Sequence, residues 1–448
     1  MKNDLYFIGR WGNMGRNTFE NGYLLPFDNI GVISSSSKKN SDNYCFSFEK
    51  NFKERKENIY AWYKNEVLNK KGCQFLPFYP CKIESEFIVL QNDVNKTNFV
   101  ESKQNLDLIL QKSGINQSCR PTIFNDYNNA TFEVITKKIG LPFIVQTNSR
   151  GGRGTFLIEN ENDYNIICKS KILRISKFEK GITLNVCSVI MPTTDGKCKV
   201  FVEYPSFKPT NIKNFEGRKF SGKGNEWGSI LIKQLSSIVK DVVLIGEYLY
   251  YMYNIKGAWG VDIIYNIHEQ KYVILEINPR LQGTHEVATI NQVLRNFPPF
   301  FLIHCISFLP NYIDNYNDLS SDEYNNNTIK LCEIYDIKSA FYIKIKFNKN
   351  IIFDPTPDFK GDGLYKIANN KLEFYENSNN TIFADLDEDL ILIVNTPDVG
   401  VLVNSGLEIC MIEGIKKPNN VIFDNDENLS SNGEKIVKLV KILLNVLY

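Results

Sequence analysis

Hydrophobic residues in this chain come in short runs whose period changes several times, and the changes mark out its elements. Residues 5–8 form an apolar run that predicts a strand leading into Gly9, Gly12 and Gly15, and residues 86–90 predict another. In ESKQNLDLILQKSGI the period becomes helical: Ser102 reads as the N-cap, Leu106, Ile109 and Leu110 as the apolar face, and Gly114 as the stop. A second helix is predicted over residues 131–139, ended by Gly140-Leu141-Pro142. Two strands, PFIVQTN and TFLIEN, then flank the loop SRGGRG, and residues 172–200 stay strand-like apart from a break near Gly181. Ile238, Val242, Ile245, Leu249 and Met252 recur at helical spacing over residues 235–253, predicting a core-facing helix.

A hairpin follows, AWGVDIIYN and YVILEIN joined through residues 267–271. The Asn- and Asp-rich stretch 311–327 reads as a surface link. Beyond it, strands are predicted at residues 340–347, 390–394 and 409–412, and an amphipathic helix from Asn432.

At 448 residues the chain exceeds what one core usually organises, so two to four domains are expected. A net charge of +1 gives no electrostatic footprint for nucleic acid or an anionic membrane. Residues 1–20 lack a signal-peptide pattern, and the most apolar window, 298–310, is too short to span a bilayer, so a cytoplasmic location is expected. Ten singly scattered cysteines read as free thiols, and His268, His285 and His304 form no metal pair at helical spacing.

Two stretches carry chemistry. Ser149-Arg150-Gly151-Gly152-Arg153-Gly154-Thr155 lies between strands and lacks the P-loop pattern. It reads either as a backbone nest for an anion or as a flexible hairpin loop. The glycines after the first strand read as a tight turn or an anion-binding turn, since their spacing is GxxGxxG. In the hairpin, Val273, Leu275 and Ile277 should face one way and Ile274, Glu276 and Asn278 the other. A five-residue connection would set Asp262 opposite Glu276, with side chains about 5 Å apart. Two facing carboxylates beside an amide oxygen suit Mg²⁺ or Mn²⁺, with phosphate oxygens completing the shell. Arg280, just beyond, could neutralise a phosphoryl group in transfer.

The order PFIVQTNSRGGRGT, GVDIIYN and VILEINPR resembles the ATP-grasp superfamily of carboxylate ligases over about residues 100–310. The resemblance implies an α/β and α+β architecture. A Rossmann-like α/β domain would occupy residues 1–100, and a two-subdomain ATP-grasp core residues 101–325, with a glycine flap at 148–155 and a metal hairpin at 259–280. A mixed α+β C-terminal domain over 331–448 would cap the acceptor site. Lys103 corresponds to the first phosphate-binding basic residue. Gln146 stands where the family has the second, a neutral amide for which Arg150 or Arg153 would compensate. Ser149, Gly151, Gly152, Arg153, Gly154 and Thr155 would close over ATP. Lys177, Phe178 and Glu179 would form the adenine hinge, with Ser176 and Thr183 where glutamates are usual. Asp262, Glu276 and Asn278 would hold Mg²⁺, and Arg280 would act in catalysis.

The implied reaction is ADP-forming activation of a small carboxylic acid as an acyl phosphate, followed by transfer to an amine. A carrier-protein phosphopantetheine thiol as acceptor, a phosphotransferase without ligation and a non-catalytic nucleotide-binding module are the alternatives. Lys223, between glycines, reads as part of a mobile loop that reaches substrate or simply faces solvent. His285 is a candidate for the acceptor side, and the sequence leaves the oligomeric state open, a homodimer being one assembly the resemblance allows.

Overall fold

The computed structural model describes residues 4–8, 29–33, 74–77, 80, 88–124, 131–147, 154–167, 172, 174–213, 215, 220–331, 337–347, 349–377, 389–406 and 408–446. The glycines that follow the first strand lie outside them.

Strands β1 (Asp4–Ile8), β2 (Asn29–Ile33), β3 (Gln74–Pro77) and β4 (Ile88–Val89) form a parallel sheet in the order β2-β1-β3-β4. Parallel pairing is what an α/β unit produces, because each strand must cross back before the next can be laid down.

Two helices follow, Val94–Glu101 and Leu106–Lys112, and they correct the helix start expected at Ser102. The Asp93 side chain caps the first helix, and Ser102, in extended conformation, is its C-cap. Lys103 therefore lies in the turn between helices, held by residues on both sides. Leu106, Ile109 and Leu110 are buried as predicted, and Gly114 ends the second helix region at φ +80°.

A four-stranded antiparallel sheet comes next: β5 (Ile123–Phe124), β6 (Phe143–Gln146), β7 (Thr155–Ile158) and β8 (Arg174–Lys177), in the order β5-β8-β6-β7. The Phe132–Ile139 helix packs Ile135 and Ile139 into its own small core with Phe143 and Val145.

The remaining strands are β9 (Ile182–Pro192), β10 (Cys198–Val202), β11 (Ser206–Phe207), β12 (Gly224–Glu226), β13 (Gly257–Asn266), β14 (Lys271–Asn278), β15 (Ser339–Lys346), β16 (Ile351–Ile352), β17 (Gly363–Ala368), β18 (Lys371–Glu376), β19 (Leu390–Val394), β20 (Leu402–Val403) and β21 (Glu408–Lys416). Apart from the β16–β20 pair, they form one sheet, eleven-stranded among the described residues, in the order β14-β13-β9-β11-β12-β15-β21-β19-β17-β18 with β10 beside β9. The hairpin strands and the C-terminal strands thus share a single sheet. The Leu235–Tyr253 helix buries Ile238, Val242, Ile245 and Leu249 in the main core; Met252, expected on that face, is 61% exposed at the helix end.

The stretch expected to be a surface link is instead helical, at Pro310–Ile313 and Ser321–Lys330. Its asparagines are not all solvent ballast. Asn325 accepts from the Val202 N–H at 2.9 Å and donates to the Val200 carbonyl at 2.9 Å, satisfying the edge of β10. Among the described residues, no helix is long and apolar enough to cross a membrane. The cysteines there are free, with Cys187, Cys305 and Cys410 buried.

Candidate functional site

The hairpin sets the site. Asp262 and Glu276 are register partners across β13 and β14, as the alternation requires, but the connection is one residue shorter than expected. Asn266 pairs with Lys271, and Ile263 pairs with Ile274. A β-bulge between Asp262 and Ile263 leaves Leu275 unpaired and restores the register at Glu276. The bulge also changes the expected apolar face: Tyr272, Ile274 and Ile277 are buried, while Val273 and Leu275 are only half-buried. Leu275 and Glu276 both line the pocket above the sheet.

Asp262 also pairs with Asn185 on β9, so Glu276, Asp262 and Asn185 form a polar row across three adjacent strands. Asn185 Nδ2 donates to Asp262 Oδ1 at 2.7 Å and to Gln282 Oε1 at 2.9 Å. Lys208 Nζ lies 2.7 Å from Asp262 Oδ2, and Lys103 Nζ lies 2.7 Å from Glu276 Oε2. Burial is the largest influence on the Asp262 carboxyl and raises its pKa, but Lys208, Asn185 and Lys103 together outweigh it and hold the group below the usual range. Burial lowers the Lys103 pKa against the opposing pull of Glu276. Lys208 was not signalled by any motif: it is a single cation just after β11, with Gly222 closing on its stem.

Arg280 is fixed from a helix the sequence did not connect with it. Its Nε and one terminal nitrogen donate to Glu101 Oε1 at 3.0 and 2.6 Å, and the same terminal nitrogen reaches Asn278 Oδ1 at 3.3 Å.

These groups line a pocket of about 370 Å³, within the range of small-molecule sites. One wall carries Lys103, Gln146, Thr155, Arg174 and the run Ser176–Glu179, with Thr183 beyond it. The floor carries Asp262, Glu276, Asn278 and Arg280, and the far end Tyr342, Lys344 and Lys346 from β15. Gln146 Nε2 donates to Thr155 Oγ1 at 3.3 Å across β6 and β7, and the Thr147 N–H closes the loop base on the Gly154 carbonyl at 2.7 Å. Ser149, Gly151, Gly152 and Arg153 lie outside the described residues. In the hinge run, the Lys177 N–H is committed to the Thr122 carbonyl and the Phe178 N–H to that of Pro142. Burial raises the Glu179 carboxyl pKa.

Two expectations are corrected. Lys223 is 2% exposed rather than on a solvated or reaching loop, because its N–H bonds the Pro209 carbonyl and its own carbonyl accepts from Lys344 N–H. Burial and then Lys346 bring its amine down to about 8. His285 is fully buried beneath the pocket: Nδ1 accepts from the Gln282 N–H at 3.0 Å, and Nε2 faces the Ser188 carbonyl at 3.4 Å. Neither lines the pocket.

The donor set of Asp262, Glu276 and Asn278 fits a hard divalent cation: two carboxylates and an amide oxygen rise from one hairpin. Among the described residues no cluster of three His, Cys, Asp or Glu occurs, so such an ion would need phosphate or water oxygens to complete its shell.

No protein-family model matches the chain, and no curated protein matches its sequence. Solved structures do match its shape. A biotin carboxylase from Campylobacter jejuni, solved as a β-γ-ATP complex, aligns with TM-score 0.55 at 13% identity over 93% of this chain and 88% of its own. An Aspergillus clavatus carboxyaminoimidazole ribonucleotide synthase, complexed with ATP, gives 0.51 at 12% identity over 99% of both chains. An L-amino acid ligase from Bacillus licheniformis gives 0.50 at 11% identity over 98% of this chain and 97% of its own. The likeness is one of fold, and the fold is that of the ATP-grasp proteins.

Proposed function

We propose that this chain is an ATP-dependent ligase that activates a small carboxylic acid as an acyl phosphate and passes the acyl group to an amine. The observation that carries the reading is the register of Asp262 against Glu276, with Asn278 and Arg280 following in the same pocket. The similar folds solved with ATP or an ATP analogue support the nucleotide part.

The chemistry needs little covalent help. A carboxylate is a poor acyl donor because oxide is a poor leaving group. Attack of its oxygen on the γ-phosphorus, with cleavage of the bond to the bridging oxygen, releases ADP and leaves an acyl phosphate. The amine lone pair then adds to the acyl carbon, phosphate departs, and the ammonium proton goes to solvent. Positioning and charge stabilisation are what a protein must supply. Asp262, Glu276 and Asn278 would hold Mg²⁺, which when bound neutralises charge on phosphate oxygens. Lys103 and Lys208 contribute fixed positive charge beside them, and Arg280, immobilised by Glu101, faces the transferring group. Ser176–Glu179 and Thr183 form the wall for the adenosine, while Tyr342, Lys344 and Lys346 offer the acid a polar, cationic end.

Incubation with Mg-ATP, a panel of carboxylic acids and hydroxylamine tests the reading. Hydroxamate with stoichiometric ADP supports it. AMP release overturns the acyl-phosphate route, and tight ATP binding without turnover on any acid would leave a nucleotide-binding module. With the acid known, replacing hydroxylamine by amines or by a phosphopantetheine thiol distinguishes the acceptor.

A further inference from the structure

Gln146 brings no charge to a position where phosphates are expected, yet the pocket wall beside it is not neutral. Arg174 on β8 is the register partner of Gln146 on β6, and both line the pocket. Directly opposed residues on neighbouring antiparallel strands project from the same face, about 5 Å apart. The Arg174 guanidinium is buried, 4% exposed, and one terminal nitrogen donates to the Leu275 carbonyl at 3.2 Å. That carbonyl belongs to the residue left unpaired by the bulge. Arg174 Nε is buried with no hydrogen-bond partner among the described residues, and so is Gln146 Oε1. A buried guanidinium N–H normally finds an acceptor, and an ionised one bonds anions more strongly than neutral groups.

We infer that Arg174 supplies the phosphate-binding charge that Gln146 lacks, the cation having moved one strand across the sheet so that its fork meets the β- and γ-phosphate oxygens of a nucleoside triphosphate. The inference rests on the nucleotide reading of the site. Burial brings the Arg174 guanidinium down to about 10, which leaves it cationic at neutral pH. Lys103, paired with Glu276 at 2.7 Å, is a second cation near Arg174 beside the proposed metal ligands. Arginine suits this place better than lysine would: its planar fork can keep the Leu275 contact with one nitrogen and offer others to phosphate.

The test measures binding of Mg-ATP and of adenosine by calorimetry, with far-UV circular dichroism confirming the fold of each variant. Arg174→Gln should weaken ATP on the order of 10- to 100-fold, the range for charge-assisted hydrogen bonds, while adenosine changes less than about twofold. Gln146→Lys combined with Arg174→Gln should recover ATP binding, because the charge returns to the neighbouring strand. If Arg174→Gln does not fold, the double variant carries the test: ATP binding supports the inference, and a folded variant that no longer binds ATP overturns it. Unchanged ATP affinity in Arg174→Gln, or equal loss of ATP and adenosine, also overturns it and leaves Arg174 as a structural strut on the Leu275 carbonyl. Wild-type protein that binds no ATP would overturn the nucleotide reading itself; wild-type binding with an indifferent Arg174 overturns this inference alone.

Discussion

Asp262 and Glu276 face each other across β13 and β14 because Leu275 is bulged out of the ladder between them. A regular continuation from the Ile263–Ile274 pair would set Asp262 against Leu275 and turn Glu276 toward the opposite face. Glu276→Gln keeps the shape and removes the charge. Hydroxamate formation should fall at least about 100-fold, the scale of losing one preorganised electrostatic group. Lys103 would also lose its charged partner, lowering stability by about 1–3 kcal/mol in urea titrations. An unchanged rate would remove Glu276 from the metal set.

Glu101 makes two hydrogen bonds to Arg280 and lies on a different helix, so it acts by positioning. Glu101→Gln should lower kcat roughly 10- to 100-fold and leave the KM for ATP nearly unchanged, because misplacement harms transfer more than nucleotide binding. A change confined to KM would show that Arg280 serves binding alone.

Two buried histidines make the fold acid-sensitive. His304 accepts the Ala258 N–H on Nδ1 at 2.8 Å, and its Nε2 faces the Leu90 carbonyl, an arrangement that mirrors His285 and its own two partners. A proton on either Nδ1 would point at an N–H. Burial first, and for His304 also the neighbouring His285, brings the two imidazoles down to about 4 for His285 and about 3 for His304. In the unfolded chain each titrates near 6.5, so between that value and the folded one the unfolded state binds more protons. Stability is therefore complete above about pH 6.5 and is lost as pH falls, by about 3 kcal/mol for each histidine at pH 4.5. Urea midpoints measured from pH 7.5 to 4.5 should drop steeply, and His304→Asn should flatten the slope. A wild-type midpoint independent of pH over that range would contradict the assignment of neutral rings.

Asn325 offers a test away from the site. Asn325→Ala strips two hydrogen bonds from the β10 edge and should cost about 1–3 kcal/mol in a urea titration while leaving ATP affinity intact. Stability within 0.5 kcal/mol of wild type, the usual scatter of surface changes, would make it an incidental contact.

What could be read in the chain beforehand was whatever depends on short-range pattern. Alternation along Val273–Asn278 brought out Glu276 and Asn278, and the flanking strand supplied Asp262. The bulge was not legible, because nothing local distinguishes Leu275 from a paired residue; two offsetting one-residue differences, in the turn and in the ladder, preserved the facing pair. Arg174, Lys208 and Glu101 were missed for a different reason. Each is one polar residue in an unremarkable run, and its role comes from tertiary pairing with Gln146, Asp262 or Arg280. Composition misled at residues 311–327, where asparagine suggested a link but Asn325 serves a strand edge. Proximity in sequence misled at His285, since the Thr284–Leu294 helix turns that ring into the core.

The shared sheet has a consequence for how this protein could be divided. β15 lies directly against β12, which in turn borders the strands that lead to the β13–β14 hairpin. Cutting the chain after Leu331 would therefore bare the backbone N–H and carbonyl groups of β12 and uncover the core behind Phe341 and Ile343. Such an edge is a template for intermolecular pairing. A fragment shortened in this way would aggregate, so the half that carries the proposed site depends for its dispersal on strands that contain none of the proposed metal ligands.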